Sequence, residues 1–398
     1  MSSQSQETTE ETQSTAAGYS VRWFRSGDAD GVRALFEDAL GRTRSRAYVD
    51  WKYVDDPYLS HVPINVAEHD GNLVGVQAYL PCRLRHAGRT VLALQPADAV
   101  IHPDHRRNGL YTRMTRQAID RYEAGEPSLF FNYPTEGALG AQRKLGWESL
   151  GELDVFYRIQ RPSAFLGDAL EDALGGAGGR TLGRVANGVA RGALTALDRV
   201  GTPSERLTVE RHIDPPAALL ATLYDRSTPE RIHVDREARF YEWWLADPTH
   251  DYRTYVARSR GDPVAGLVTR LTDSGVLQLR DAVPLPPNQP VGPLGRLLSA
   301  ALADHRDADV VKSVGETLPA DVLGRFGFVR DSAPVLDSRR KPLRMAARPL
   351  ASDDAEGPVH DDDGQEDDGP DTGADGPDSD AVTDRANWLP TFLEPNKD

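Results

Sequence analysis

Leu94-Gln95-Pro96-Ala97-Asp98-Ala99-Val100-Ile101-His102-Pro103-Asp104-His105-Arg106-Arg107-Asn108-Gly109-Leu110-Tyr111 is the stretch from which the rest of the chain is read. Val100 and Ile101 are β-branched and suit a strand, and Pro103 ends it. Leu110 to Tyr122 carries helical spacing. Between strand and helix lie two arginines and a glycine. The first amides of a helix have no partner within it, and the helix dipole favours negative charge beside them. The turn therefore reads as a seat for an anion, and Gly109 lets a phosphate come close to the backbone.

Working outward, Leu129-Phe130-Phe131 reads as a second strand ending at Asn132, and Lys144-Leu145-Gly146-Trp147 closes the region. Together these features resemble the GNAT superfamily of N-acetyltransferases. Arg106-Arg107-Asn108-Gly109-Leu110-Tyr111 is similar to the family's acyl-CoA loop, Gln/Arg-x-x-Gly-x-Gly/Ala, at its first and fourth positions. Tyr111 departs from the small sixth residue. Lys144-Leu145-Gly146-Trp147 is similar to the family's closing Lys-x-Gly-Phe. The resemblance covers roughly residues 18–160.

It implies an α/β (α+β) fold, a mixed sheet with helices on both faces, in the order strand, helix, hairpin, strand, cradle helix, strand, helix, strand. It implies acetyl-CoA as acyl donor, no metal, and direct attack by a primary amine. By resemblance, the backbone of Ala99, Val100 and Ile101 holds the pantetheine arm. Arg106, Arg107, Asn108, Gly109, Leu110 and Tyr111 hold the pyrophosphate, and Asn132 completes the cofactor set. Asp98 lies where the family places an acidic residue beside the thioester, which makes it a candidate base; Glu136 is a second. The family's usual acid is a tyrosine four residues before the closing glycine, and here that position is Gln142. Tyr111 and Tyr133 are the substitutes. His102 and His105 read as turn caps or phosphate contacts. Asn132-Tyr133-Pro134-Thr135-Glu136 resembles strand ends of a subgroup linked to surface-sugar amines, so the acceptor is a small-molecule or surface-sugar amine. A second class of function stays open, a non-catalytic acyl-CoA-binding or scaffold protein.

At 398 residues the chain calls for more than one domain. Cys82 is the single cysteine, which rules out an internal disulfide and suits a reducing, cytoplasmic setting. No apolar run is long enough to span a bilayer. Residues 349–398 hold 16 Asp and Glu against two basic residues, leaving 44 basic and 45 acidic in the rest. The acidity therefore lives in a tail, and a near-neutral body argues against nucleic acid as a partner.

The second half echoes the first. Glu242-Trp243-Trp244 echoes Asp50-Trp51-Lys52; Leu277-Gln278-Leu279-Arg280-Asp281-Ala282-Val283 echoes Leu94 to Val100; Arg325-Phe326-Gly327-Phe328 echoes Lys144 to Trp147. The expected organisation is a disordered start over 1–17, a GNAT domain over 18–160, a helical linker over 161–203 broken at Gly175 to Gly179, and a degenerate GNAT-like domain over 204–348. Opposite the first loop stands Gln289-Pro290-Val291-Gly292-Pro293-Leu294. Two prolines remove two amide donors and no arginine offsets phosphate charge, so this copy is expected to bind acyl-CoA poorly. The tail over 349–398 is expected to be disordered, densest in charge over 352–384. It ends in an apolar patch, Trp388-Leu389-Pro390-Thr391-Phe392-Leu393, expected to dock on its own domains or a partner.

Overall fold

The computed structural model describes residues 13–14, 18–41, 44–123, 125–202, 207–337, 340–350 and 379–393. The expectations for 1–17 and 352–378 lie outside these residues, apart from the two-residue strand Gln13–Ser14. The chain divides into two compact units. One comprises residues up to Leu84, Arg89–Leu150 and Met345–Asn387; the other comprises Arg85–Gly88, Gly151–Arg344 and Trp388 onward.

The first unit opens with β1 (Tyr19–Trp23), where Val21 and Trp23 enter the core. Arg22, buried beside them, is matched by Asp28 at 2.6 Å and Glu68 at 2.5 Å. Helix α1 (Ala29–Leu40) buries Val32, Leu35 and Phe36 and stops at Gly41, whose φ of 63° suits a glycine C-cap. A short α2 (Arg46–Val49) widens into a π-turn over Asp50–Val54. Strands β2 (Ile64–His69) and β3 (Asn72–His86) form the expected hairpin, with Asp70 and Gly71 at φ 50° and 78°. Then come β4 (Arg89–Ile101), α3 (Leu110–Tyr122), β5 (Leu129–Asn132), α4 (Glu136–Arg143) and β6 (Glu148–Leu153).

The second unit runs β7 (Val155–Ile159), α5 (Pro162–Gly201), β8 (Thr208–His212), α6 (Ala217–Asp225), α7 (Ala238–Trp244), β9 (Tyr252–Ser259), β10 (Asp262–Leu271), β11 (Val276–Val283), α8 (Val291–Asp304), β12 (Val310–Val314), α9 (Ala320–Arg325) and β13 (Val329–Arg330). Its sheet is ordered β13-β7-β12-β11-β10-β9-β8. A last strand, β14 (Leu343–Pro349), returns to the first sheet, ordered β1-β2-β3-β4-β5-β14-β6 beyond Gln13–Ser14. Both sheets are mixed, with parallel pairing of β4 with β5 and of β11 with β12 beside antiparallel neighbours.

Three expectations change. Residues 155–159, expected within the first domain, form β7, which pairs with β12 of the second sheet (Val310↔Ile159), while β14 takes the place beside β5 (Ala346↔Asn132). The boundary at 160 and the end at 348 therefore each give way to an exchanged strand. Helix α5 is continuous through Gly175 to Gly179. Glycine weakens a helix by about 1 kcal/mol per residue but does not stop it without a left-handed turn or a proline. Within the stretch expected to be disordered, Ser379–Thr383 forms a short helix whose Val382 is buried. One apolar side chain gives that turn an anchor the acidic residues around it lack. No helix among the described residues is long and apolar enough to cross a membrane.

Candidate functional site

The parallel ladder between β4 and β5 holds only at Ala93↔Leu129 and Leu94↔Phe130. Beyond it no ladder joins the two strands, and Ala99 to Ile101 and Asn132 lie at the ends that follow. Ala99, Val100 and Ile101 are the last residues of β4. The turn that follows is braced from within. Arg106 Nε donates to the Ile101 carbonyl at 3.1 Å, and Asn108 Nδ2 donates to the His105 carbonyl and the Tyr19 hydroxyl, both at 3.1 Å. Tyr19 in turn bonds His105 Nδ1 at 3.0 Å and stacks on His69 at 4.4 Å between ring centroids. His102 accepts from the Asp104 amide at 3.4 Å, as a turn cap.

Arg107 and Gly109 adopt φ of 68° and 70°, and Gly109 starts α3 without any side-chain cap. A Cβ on Gly109 would meet open space, so its left-handed φ, and not crowding by protein, calls for glycine. Arg106, Arg107, Asn108 and Gly109 are exposed, and Leu110 is buried as the anchor of the first helical turn. A thirteen-residue helix with no side-chain cap, flanked by two exposed guanidinium groups, fits an anion.

Asp98 does not stand alone. Lys52 Nζ lies 2.8 Å from its Oδ2, and the Tyr53 hydroxyl donates to the same oxygen. Lys52, 2% exposed, also donates to Tyr48 at 2.9 Å. Burial works against the Asp98 charge, but the Lys52 ammonium and the two hydrogen bonds outweigh it and hold the carboxyl below its usual range. Burial likewise opposes the charged Lys52, and Asp98 and Tyr48 outweigh it, so its pKa is raised. The sequence pattern alone did not pair the aromatic turn around Lys52 with Asp98. The signal was present, because an aromatic helix end precedes an Asp in both halves.

Tyr111 departs from the family's pattern but meets the family's other departure. Gln142 Nε2 donates to the Tyr111 hydroxyl at 3.1 Å. Burial pushes the Tyr111 phenol up, with Gln142 opposing, so it stays protonated. The tyrosine missing at position 142 is thus matched by one whose hydroxyl reaches the same place from α3. Asn132 is buried at the end of β5, and its Oδ1 has no hydrogen-bond partner among the described residues. Tyr133 is buried beyond it. Glu136 is exposed and opens α4, whose cap is Thr135 accepting from the Ala138 amide at 3.4 Å. No group of three metal-ligating side chains occurs among the described residues.

Residues 20–150 match the family model described as an acetyltransferase (GNAT) domain. Residues 20–150 are a GNAT domain. Solved structures similar over more than four fifths of the chain carry the same kind of fold. One is a GCN5-related N-acetyltransferase from Anabaena variabilis, 14% identical, with a TM-score of 0.56 over 83% of this chain and 73% of that one. Another is a probable N-acyltransferase from Enterococcus faecalis, described as a conserved protein of unknown function, 12% identical, TM-score 0.57, over 83% and 73%. A GCN5-related N-acetyltransferase from Kribbella flavida is 15% identical, TM-score 0.54, over 86% and 71%. At such identities the likeness is one of fold. No curated protein matches the chain.

The GNAT domain also serves as the ruler for the second half. Its ladder, Val276↔Val310, Leu277↔Val311 and Gln278↔Lys312, sets Asp281 opposite Asp98. There Arg236 Nη2 meets Asp281 at 3.0 Å and Tyr241 donates at 2.6 Å. Pro290 caps α8 and Pro293 lies in its first turn. Carried across on the same register, Tyr111 and Gln142 become Leu294 and Leu323, both fully buried in an apolar cluster.

Proposed function

We propose that the chain is an N-acyltransferase that moves an acyl group, most simply acetyl, from an acyl-CoA to a primary amine. One observation carries the reading: the uncapped N-terminus of α3, flanked by Arg106 and Arg107, lies at the end of a strand whose neighbour has diverged. Amides and guanidinium groups would take the pyrophosphate. The free side of β4 at Ala99 to Ile101 would take the pantetheine amides as strand addition does, and the orphaned Asn132 Oδ1 suits an amide donor of that arm. The amine nitrogen then bonds the thioester carbon, the oxyanion is met by backbone donors, and the carbon–sulfur bond breaks. Tyr111, protonated and hydrogen-bonded to Gln142, gives its proton to the leaving sulfur. Asp98, bound to Lys52 and Tyr53, serves as a positioning residue between the aromatic turn and β4; the amine's proton goes to Glu136 or to water.

Calorimetric titration with acetyl-CoA tests the cradle. Arg106→Glu puts a negative charge against the pyrophosphate and abolishes binding; unchanged binding overturns the assignment. The engagement of Asp98 favours one other reading, a GNAT fold that binds acyl-CoA without turnover. Thiol release that rises with added amines separates the two, because a mere binder releases thiol no faster when amines are present.

A further inference from the structure

The second domain lacks a cradle, yet its equivalent slot is filled by its own chain. Residues 388–393 lie in it, with Trp388, Leu389, Phe392 and Leu393 all 4% exposed or less. The contacts are those of a bound extended peptide. Trp388 bridges Ile232 in parallel, and the Leu389 amide donates to the Ile232 carbonyl at 2.8 Å. The Glu316 amide donates to the Pro390 carbonyl at 2.9 Å, so the one residue with no N–H is used only as an acceptor. The Phe392 amide donates to Thr317 Oγ1 at 2.7 Å. Thr391 Oγ1 accepts from Arg236, the residue that holds Asp281, at 2.9 Å. The Phe392 ring lies under Arg280 at 4.6 Å and Lys312 at 5.0 Å.

The place matters as much as the contacts. On the register of the two parallel ladders, Arg280, Asp281, Lys312, Glu316 and Thr317 correspond to Ala97, Asp98, Phe131, Thr135 and Glu136. Those are the residues at the mouth of the first domain's slot. Gly315 completes the fit. Its φ is 58°, and a Cβ there would overlap the Pro390 carbonyl oxygen, so this backbone is shaped to let another strand of chain pass.

We infer that the second domain is a peptide-binding domain, its ligand an extended aromatic-x-Pro-hydroxyl-aromatic-apolar segment supplied by the chain's own residues 388–393. The former cofactor slot holds a polypeptide through backbone hydrogen bonds, one hydroxyl bond to Arg236 and an aromatic ring between two cations.

The test uses the full chain with Thr391→Ala and Phe392→Ala, which weakens the resident segment, and a fluorescent synthetic peptide of residues 386–395. The variant is expected to bind the peptide saturably, roughly tenfold tighter than a scrambled peptide or more, while the wild-type chain, already occupied, binds it at least about tenfold more weakly. A variant with native circular dichroism that binds neither peptide preferentially overturns the inference, and so does equal binding by wild type and variant. Should the variant not fold, the wild-type chain decides: the Leu389, Glu316 and Phe392 amides are expected to exchange hydrogen as slowly as those of β11, and exchange at the rate of an unstructured peptide overturns it.

Discussion

Two slots, each at the end of a parallel ladder, lie in one chain, and they differ in what ends them. In the first, β4 runs into a braced, glycine-started helix with two exposed arginines and no side-chain cap. In the second, β11 runs into a proline-capped helix, and the mouth is closed by residues 388–393. The polar pair Tyr111 and Gln142 of the first becomes a pair of buried leucines in the second. What both keep is a carboxylate on the central strand bound to one cation and one tyrosine. The partners do not correspond in position: Lys52 and Tyr53 lie at the far end of the aromatic turn, Arg236 and Tyr241 before and within α7. A feature kept by different means in a half without a cradle is a structural tie, and this separates Asp98 from the chemistry proposed for Tyr111.

The tie itself offers the largest effect. Asp281 and Arg236 are 1% and 0% exposed, whereas Asp98 is 23% exposed beside Lys52. Removing one member of a fully buried pair leaves a charge without its counter-ion, so Asp281→Ala is expected to cost about 4 kcal/mol in urea unfolding. Asp98→Ala is expected to cost roughly half as much, because water reaches that carboxylate. Equal losses would break the comparison. In the wild type the depressed Asp98 pKa sets the sign with pH: its contribution is present above the unfolded carboxylate value and is lost only as pH falls through the lower folded value. The tie therefore persists at pH 5.

Next in size is the group that only the first half keeps. Tyr111→Phe removes the proton donor and leaves the cradle intact, so kcat is expected to fall about 100-fold with KM nearly unchanged, read by thiol release against the best amine of a panel. A KM effect without a kcat effect would return Tyr111 to a binding role. The second half carries a smaller effect of its own. His233, 1% exposed, is pushed down from an ordinary 6.5 to about 3 by burial first and then by Arg236, Arg85 and Arg231. The unfolded chain takes up a proton near 6.5 and the folded chain does not, so stability falls with pH below that value. The expected loss is about 2 kcal/mol at pH 5. His233→Gln should flatten that slope, seen as hydrogen exchange of α6 and β11 at pH 7 and pH 5; an unchanged slope would remove His233 as its source.

Much of this was legible before any coordinates. The strand, turn and helix at 94–122 declare themselves, since β-branching, Pro103, Gly109 and the apolar spacing of α3 are local properties. The correspondence of Asp98 and Asp281 was legible because they sit in matching words. What stayed hidden is long-range. Val155–Ile159 and Leu343–Pro349 are both short strands, and alternation tells which face a strand buries but not which neighbour it joins. Hence the exchange of strands had no local sign. Lys52 and Asp98 are 46 residues apart, and neither spacing nor composition pairs them. The closing segment was legible as an unhappy apolar patch in water, while the slot that takes it exists only once β11 and β12 have diverged.

The smallest expected effect asks whether the two loop glycines still do the same work. Gly109 has φ of 70° at the start of α3, whereas Gly292 lies inside α8 and is absent from the left-handed residues. An L side chain at the first position is strained, so Gly109→Ala is expected to cost about 1 kcal/mol in stability. It should also weaken acetyl-CoA binding, because straining the turn moves the amides that define it. At the second position alanine suits a helix better than glycine by up to about 1 kcal/mol, less near the end, so Gly292→Ala is expected to be neutral or slightly stabilising. Opposite signs at aligned glycines would mean that the motif survives in the second loop as letters and not as geometry. If both variants destabilise alike, the second loop retains the left-handed turn, and the prolines at 290 and 293 are then its remaining difference from the first.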